Sequence, residues 1–173
     1  MTDMPEELPE HGITPSMVAA GTTMPEQHVI DAAVHTVRSL CGWHVWPVRE
    51  ETVTVDTTGD DVVFLPTKRL HNVTEVSIDN EQIPPGEWSF SADGMLQLTR
   101  RPPAGFRRLA ATITHGYDEV PDLAGVIGQM ARRAGAPQES YQVGGISVGA
   151  PGAVTPQSTE WRIVDLYKLG PMP

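Results

Sequence analysis

The sequence predicts an α+β fold in which helices stand at both ends of a small, mostly antiparallel β unit. Three observations lead to this fold class. Apolar residues recur at helical spacing before and after the middle of the chain, the middle alternates with a period of two, and turn residues separate its short apolar segments. An extended N-terminal arm and a C-terminal tail helix complete the prediction. With 173 residues, the chain is long enough for one modest domain with extensions.

The first predicted helix begins after Thr23 and ends at Gly42. Thr23 and Glu26 have the spacing of a capping box, and Pro25 stands in the first turn, where proline is tolerated. Six residues then recur at helical spacing: Ile30, Ala33, Val34, Val37, Leu40 and Cys41. Cys41, the single cysteine, lies at the apolar end of this pattern, which indicates a buried thiol rather than a nucleophile.

The β unit is predicted between Trp43 and His115. Its strands are the segments ETVTVD, DVVFLP, VTEVSID, EWSFS, MLQLT and RLAATITH. Asp93-Gly94 predicts a hairpin between two of them, because a type I′ turn requires the positive φ that Asp and Gly tolerate. The prolines of this region restrict the strand ends to edges and loops.

A second helix is predicted to start near Pro121 and to be followed by Gly135. Its apolar face consists of Leu123, Val126, Ile127, Met130 and Ala134. Its opposite face carries small residues: Ala124, Gly125, Gly128 and Ala131. Two glycines on one helix face indicate the close approach of another backbone. A neighbouring subunit and an unpartnered solvent face are both compatible with this pattern.

The stretch from Gly145 to Gly149 matches the G-x-S-x-G motif of serine hydrolases around Ser147. In those enzymes a helix begins directly after the serine, and a histidine follows later in the chain. Here two prolines and a glycine stand where the helix would begin, and the last histidine, His115, precedes the motif. We therefore interpret residues 136–154 as a flexible Gly-rich linker and expect no enzyme activity, cofactor or metal.

The predicted tail helix lies within residues 155–173, capped by Thr155-Pro156 and stopped by Gly170-Pro171. Its apolar residues occupy most of the helix circumference: Trp161, Ile163, Val164, Leu166, Tyr167 and Leu169. A helix of this kind is expected to bury itself in a partner. The domain organisation is thus an acidic flexible arm at 1–22, a core domain at 23–135, a linker at 136–154 and a docking helix at 155–173.

The formal net charge is −10, and residues 1–37 carry six acidic residues with no Lys or Arg. This balance disfavours DNA wrapping, which depends on the neutralisation of phosphates. The one dense basic feature is a loop with Arg100, Arg101, Arg107 and Arg108 and with Phe106 at its tip. We favour contact of this loop with acidic surface on a neighbouring copy, while phosphate contact and no specific contact stay open. No secretion leader and no membrane-spanning apolar run occurs, so no membrane partner is expected.

The order of these features resembles that of the head-to-tail connector (adaptor, or head-completion) proteins of long-tailed bacteriophages, most clearly the actinobacteriophage type. The resemblance extends from about Thr23 over most of the chain. It lies in a helix ending LCGWHVWP, a β unit with VVFLPTKRLHNVTEVSID and DGMLQLTR, the segment ATITHGYDEVPDLAGVIGQMARRA, and a tail with YQVGGISVG and TPQSTEWRIVDLYKL.

The resemblance implies a structural virion protein at the head–tail interface, assembled in the cytoplasm of a bacterial host. It would form a ring, usually twelvefold, between the portal protein and the next tail-side connector (stopper), with double-stranded DNA passing transiently through the channel. In the family the C-terminal tail reaches into the portal, so residues 161–169 would be the anchor and the Gly-rich segment its tether. Gly125 and Gly128 would permit subunit packing.

The loop from Arg100 to Arg108 departs from this resemblance, since it matches no pattern of the family. It carries the alternative function: a small binding module that contacts nucleic acid through these arginines.

Overall fold

The structure is a computed structural model of the full chain. It describes residues 8–20, 24–135 and 155–170, and the backbone alone of residues 141–143 and 146–148. The helices are α1 (Pro15–Val18), α2 (Gln27–Cys41), α3 (Pro121–Gly135) and α4 (Ser158–Tyr167). The strands are β1 (Arg49–Thr57), β2 (Val62–Phe64), β3 (Leu70–Ile78), β4 (Glu81–Gln82), β5 (Trp88–Phe90), β6 (Met95–Leu98), β7 (Gly105–His115), β8 (Tyr141–Val143) and β9 (Ile146–Val148). The predicted α+β class is confirmed, with helices at both ends of the β unit.

The chain divides into two compact units. The first contains Met1–Leu40 and Val120–Leu166, and the second contains Cys41–Glu119 and Tyr167–Pro173. Of the predicted core domain, the β part therefore belongs to the second unit, and the flanking helices belong almost entirely to the first. The predicted domain boundaries near residues 22, 135 and 154 fall on or next to residues outside the described part, and they stay predictions.

The second unit contains two antiparallel sheets with the strand orders β1-β7-β3-β4 and β2-β6-β5. The long strand β7 pairs with β1 from Arg49 opposite His115 to Val55 opposite Leu109, and it pairs with β3 on its other side. Its alternate residues Leu109, Ala111, Ile113 and His115 are buried, as a period of two requires. Leu109, Ala111 and Ile113 share the core with residues of four other strands and of the loop after β2: Val55, Val63, Leu65, Leu70, Val73, Val76, Leu96 and Leu98.

The hairpin predicted at Asp93-Gly94 is confirmed, joining β5 to β6. Its turn differs from the predicted type I′ turn, because the loop has four residues, 91–94, and Gly94 alone among them has a positive φ, of 86°. The Gly94 N–H donates to the Ser91 carbonyl over 3.2 Å. A Cβ at Gly94 would lie 2.3 Å from the Thr67 carbonyl oxygen, so this turn requires glycine for space as well as for conformation.

The first unit contains the buried faces of α2 and α3. The α2 residues Ile30, Ala33, Val34 and Val37 are buried, as their helical spacing predicts. In α3 the predicted apolar face is buried, except that Ala134 is half-buried. None of the helices in the described ranges combines the length and the hydropathy that a membrane crossing requires.

Residues 8–20 differ from the poorly ordered arm that the sequence predicts. Ile13 and Val18 are buried, and the Gln27 side chain donates to the Ile13 carbonyl over 3.1 Å. The Glu10 carboxylate pairs with Arg38 of α2 at 3.2 Å. Acidic and proline-rich composition suggested disorder, but two apolar side chains and two polar contacts with α2 hold this segment within the first unit.

The segment predicted as a flexible linker contains the paired strands β8 and β9, with Gln142 opposite Ser147. Ser147 therefore lies in the middle of a strand. The hydrolase motif requires its serine at a strand-to-helix turn. The rest of the predicted linker, including Gly145 and Gly149, lies outside the described residues.

Candidate interaction surfaces

The small-residue face of α3 meets α1 of the same chain. Gly128 is buried, and a Cβ on it would lie 3.0 Å from both Cβ and Cγ1 of Val18. Arg132, one turn further along α3, donates a hydrogen bond to the Val18 carbonyl. The close approach that the sequence predicts at Gly128 therefore occurs within the chain, with α1 as the partner.

The predicted subunit-packing residues consequently separate into two pairs. Gly128 and Ala131 are buried within the first unit, and a role for them in subunit packing stays a prediction. Gly125 is exposed with open space around its Cα, and Ala124 is half-buried. For this second pair a contact with a neighbouring subunit also stays a prediction.

The tail helix α4 is fastened at its N-terminus by Glu160. The carboxylate accepts from the Gln157 backbone N–H over 2.7 Å, in the manner of a capping box. It also accepts two hydrogen bonds from Arg133 of α3, with Nη1 2.6 Å from Oε1 and Nη2 2.8 Å from Oε2. These bonds to Arg133 lower the pKa of Glu160 although its burial opposes the shift. The sequence predicts a helix cap at Thr155-Pro156, but the helix begins at Ser158. Gln157 is the N-cap residue, and the Glu160 carboxylate accepts its backbone N–H.

The apolar residues of α4 are partly covered by their own chain, whereas the sequence predicts a helix that buries itself in a partner; docking to a partner stays a prediction. Val164 is fully buried within its own chain. Four residues are half-buried: Trp161, Ile163, Tyr167 and Leu169. Only Leu166 among the predicted docking residues is largely exposed, at 66%. The spacing of Glu160, Val164 and Tyr167 gives α4 one covered face, and Leu166 lies away from it.

The end of the tail contacts the segment that follows α2. The Trp43 indole N–H donates to the Tyr167 carbonyl over 2.7 Å, and the Leu169 N–H donates to the Cys41 carbonyl over 2.9 Å. The Tyr167 ring packs edge-on against Tyr117, with ring centroids 5.3 Å apart. Sequence reasoning missed this anchor, although a buried tryptophan requires an acceptor for its N–H. The burial predicted for Cys41 is confirmed.

His115 is buried between the rings of Trp43 and His44, with centroids 6.0 Å and 5.8 Å away. Its Nε2 lies 2.8 Å from the Glu51 carboxylate, whereas its Nδ1 has no hydrogen-bond partner among the described residues. Burial lowers the pKa of His115, and the charge of Glu51 opposes this effect without cancelling it. The neutral ring therefore donates from Nε2 to Glu51. No group of three metal-binding side chains occurs within the described part of the chain.

Two arginines of the basic loop are engaged within the second unit. Arg108 forms a two-point ion pair with Asp79, at 2.8 Å from Nε and 2.5 Å from Nη2. This hydrogen bonding lowers the pKa of Asp79. Arg100 lies 3.5 Å from the Glu87 carboxylate. Arg101 and Arg107 are exposed and form no ion pair with a described residue.

Phe106 and Arg107 form a projection that we call the β7 knob. Phe106 is the second residue of β7 rather than the tip of a free loop, and it is 88% exposed. Arg107 has a φ of 53°, and its N–H donates to the Asp56 carboxylate over 2.7 Å. The knob lies at a bulge where the β1–β7 register shifts between Val55 and Thr57. Bulges of this kind change the direction of side chains at the edges of sheets.

The fold defined by these units belongs to a class already seen in solved assemblies, although no family model and no curated protein matches the sequence. The chain is similar to a component of the neck of a native gene transfer agent (GTA) particle computed with C12 symmetry. The TM-score is 0.56 and the identity 15%, over 84% of this chain and 85% of the other. A component of the neck of an empty GTA particle computed with C6 symmetry gives a TM-score of 0.55 and 14% identity, over 91% and 88%.

A third similar chain comes from the structure of the virion of a native gene transfer agent particle. It gives a TM-score of 0.51 and 12% identity, over 84% of this chain and 77% of that chain. At these identities the likeness is one of fold. This likeness of fold is consistent with the resemblance in the order of sequence features.

Proposed function

We propose that the chain is a structural virion protein: a ring-forming head-to-tail adaptor that connects the portal to the tail and lines part of the DNA channel. The observation that carries this proposal is the likeness of fold to neck components over 84% to 91% of the chain. The order of sequence features supports the same class independently. The C12 and C6 symmetries of the two similar necks are compatible with a ring of identical copies.

The proposed partners are other copies of the chain, the portal protein, the next tail-side connector (stopper) and DNA in passage. The protein would act without catalysis, in the virion neck, after assembly in the host cytoplasm. The net charge of −10 suits a conduit, because a negative wall does not retain a passing duplex.

The portal contact of α4 has to use the side of the helix that its own chain leaves open. Glu160 and Val164 are occupied within the first unit, so the available surface is the one around Leu166. The half-buried Ile163 lies one turn before it on the same side. A short apolar strip of this kind fits a shallow groove on a partner better than a deep cleft.

Cryo-electron microscopy of particles that contain the chain tests this function. The expected result is a ring of copies between the portal and the tail, with Leu166 covered by portal residues. The chain's absence from the neck would overturn the proposal. A ring with Leu166 in solvent would retain the adaptor function and refute the docking surface.

The nucleic-acid-binding alternative is weaker in the folded chain, because Arg100 and Arg108 already pair with carboxylates. A salt titration of duplex DNA binding separates the two functions. A steep salt dependence that disappears in an Arg101→Ala, Arg107→Ala variant would favour the alternative.

A further inference from the structure

The β7 knob has an unfavourable backbone conformation, because Arg107 has a left-handed φ of 53°. Left-handed φ values are uncommon for residues with a side chain, and they persist where surrounding contacts impose them. At Arg107 the imposing contact is the hydrogen bond from its N–H to Asp56. Such outliers cluster at functional contacts. The conformation of Arg107 therefore indicates that the knob contacts a partner.

The residues next to the knob hold it in this conformation. A Cβ at Gly105 would lie 2.6 Å from Cδ of Arg108, so the glycine leaves room for the Arg108 side chain. Asp79 fixes that side chain from the other end. The Thr57 hydroxyl donates to the Pro103 carbonyl over 2.6 Å and holds the preceding loop. Phe106 is therefore exposed at a pre-organised strand end, which reduces the entropy cost of binding.

The first unit contains a groove with partly apolar lining, which we call the N-terminal groove. Its apolar lining comes from Leu8, Pro9, Pro15 and Met24, and its volume is about 510 Å³. Leu8 and Met24 are 73% and 63% exposed. Thr14, Ser16 and Gln27 add polar groups to the lining, so the groove is partly apolar, and Leu8 and Met24 are its apolar side chains that are open to solvent.

The carboxylates of Asp31 and Glu26 lie next to the groove residue Gln27 in structure or sequence, and each also contacts a histidine, Asp31 with His11 at 3.0 Å and Glu26 with His28 at 3.1 Å. Gln27, which lines the groove, donates to the Asp31 carboxylate over 2.8 Å, and Glu26 is its exposed neighbour in sequence. Residues 1–37 contain no Lys or Arg. An aromatic ring with an adjacent arginine is the combination that such a surface would recognise, since the ring fills the groove and the guanidinium meets the carboxylates.

We propose that the β7 knob of one copy docks in the N-terminal groove of the next copy. The knob belongs to the second unit and the groove to the first, so two different surfaces meet and the contact is heterologous. Repetition of a heterologous contact closes a ring when the rotation permits it. The inference rests on the proposed function for the ring itself, and it adds which residues join its copies.

The test uses co-production of the tagged wild-type chain and an untagged variant, followed by measurement of the variant's share in purified particles. We expect the shares of Phe106→Ala and Arg107→Glu to fall at least tenfold. The matched control Arg69→Glu makes the same charge change on another exposed side chain of the second unit and is expected to be incorporated normally. In the groove, Met24→Ser should reduce incorporation, whereas Met17→Ser, exposed but outside the groove lining, should not.

A charge exchange makes the test specific for the pairing. Glu26→Lys should restore incorporation of an Arg107→Glu chain when both substitutions are present in every copy. Normal incorporation of Phe106→Ala and Arg107→Glu would overturn the inference. Absence of the wild-type chain from necks would instead overturn the proposed function, so the two failures are distinguishable.

Cross-linking provides a measurement that does not depend on altered affinity. Met24→Cys and Arg107→Cys chains, produced together, should form a disulfide-linked dimer in oxidised particles. Thr74→Cys, an exposed position on β3, replaces Arg107→Cys in the control and should give no dimer. If both cysteine variants enter the neck and no dimer forms, the knob does not meet the groove and the inference fails.

Discussion

Arg133 and Glu160 form a two-point ion pair that joins α3 to the start of α4, with donor–acceptor distances of 2.6 Å and 2.8 Å. The glutamate is buried and also caps the helix through Gln157. One side chain therefore both starts the tail helix and attaches it to its own chain. The apolar residues that follow are positioned by this attachment before any partner is met.

Removal of the carboxylate charge should loosen the tail. We expect Glu160→Gln to lower the free energy of unfolding by roughly 1–3 kcal/mol, because Arg133 loses a charged acceptor while it is still partly exposed to water. Denaturant titration measures this loss. Glu87→Gln is the control, since its ion pair with Arg100 is long and exposed, and it should change stability by less than about 0.5 kcal/mol. Equal effects of both substitutions would contradict a special role of Glu160.

The pH dependence of stability should contain a contribution from His115. Its pKa in the folded chain is below the ordinary value of 6.5, so the unfolded chain takes up the proton first and stability falls as the pH decreases below about 6.5. The charged or titratable groups around the ring are Glu51, Arg49, His71 and His44. We expect His115→Gln to flatten the stability curve below about pH 6.5, because the variant lacks the buried ring whose folded pKa is lowered. An unchanged slope in His115→Gln would refute the assignment.

The indole N–H groups of Trp43 and Trp88, both in the second unit, predict different results. Trp43→Phe leaves the Tyr167 carbonyl without its donor and should cost roughly 1–3 kcal/mol. The Trp88 N–H has no acceptor among the described residues, so Trp88→Phe should change stability by no more than about 0.5 kcal/mol. Thermal unfolding of both variants measures the difference. A similar loss in both would show that ring volume, rather than the hydrogen bond, determines the effect.

The two glycines of α3 should respond differently to alanine. Gly125→Ala adds a methyl group in open space and should stabilise the isolated chain by roughly 0.5–1 kcal/mol through helix propensity. Gly128→Ala brings a Cβ to 3.0 Å from Val18, so it should lose that gain or destabilise the chain. Parallel denaturant titrations compare them. If Gly125→Ala folds better but enters particles poorly, its face contacts a neighbouring copy, as the family resemblance implies.

Leu166 and Val164 separate docking from folding. Leu166→Asp changes an exposed side chain and should leave stability within about 0.5 kcal/mol, while it reduces attachment to portal-bearing capsids. Val164→Asp places a charge in a fully buried position and should cost roughly 3 kcal/mol or more. Circular dichroism and a capsid pull-down measure the two properties. Normal capsid binding by Leu166→Asp would remove α4 from the portal contact.

The elements that local patterns specify were predicted well. Helix α2 follows from its apolar spacing and from Gly42, whose φ of 78° ends it, although it begins at Gln27 and not directly after Thr23. Helix α3 follows from Pro121 and Gly135 at its ends. These signals act within a few residues, so one sequence is sufficient to recognise them.

The segments that cover α4 and Gly128 could not be predicted from local patterns. Apolar residues on α4 show that the helix is covered, but they do not show by what, and Arg133 stands 27 residues before its partner Glu160. Gly128 likewise indicates the close approach of another segment, but its position in the sequence does not identify Val18 as the contact. Identification of the covering element requires three-dimensional contacts between residues far apart in sequence.

The burial of Cys41 makes the chain suitable for counting its copies. Because the native thiol is fully enclosed, a cysteine introduced at an exposed site such as Thr74 would be the position that reacts with a maleimide dye. Each copy would then carry one fluorophore. Stepwise photobleaching of single labelled particles would give the stoichiometry of the assembly directly.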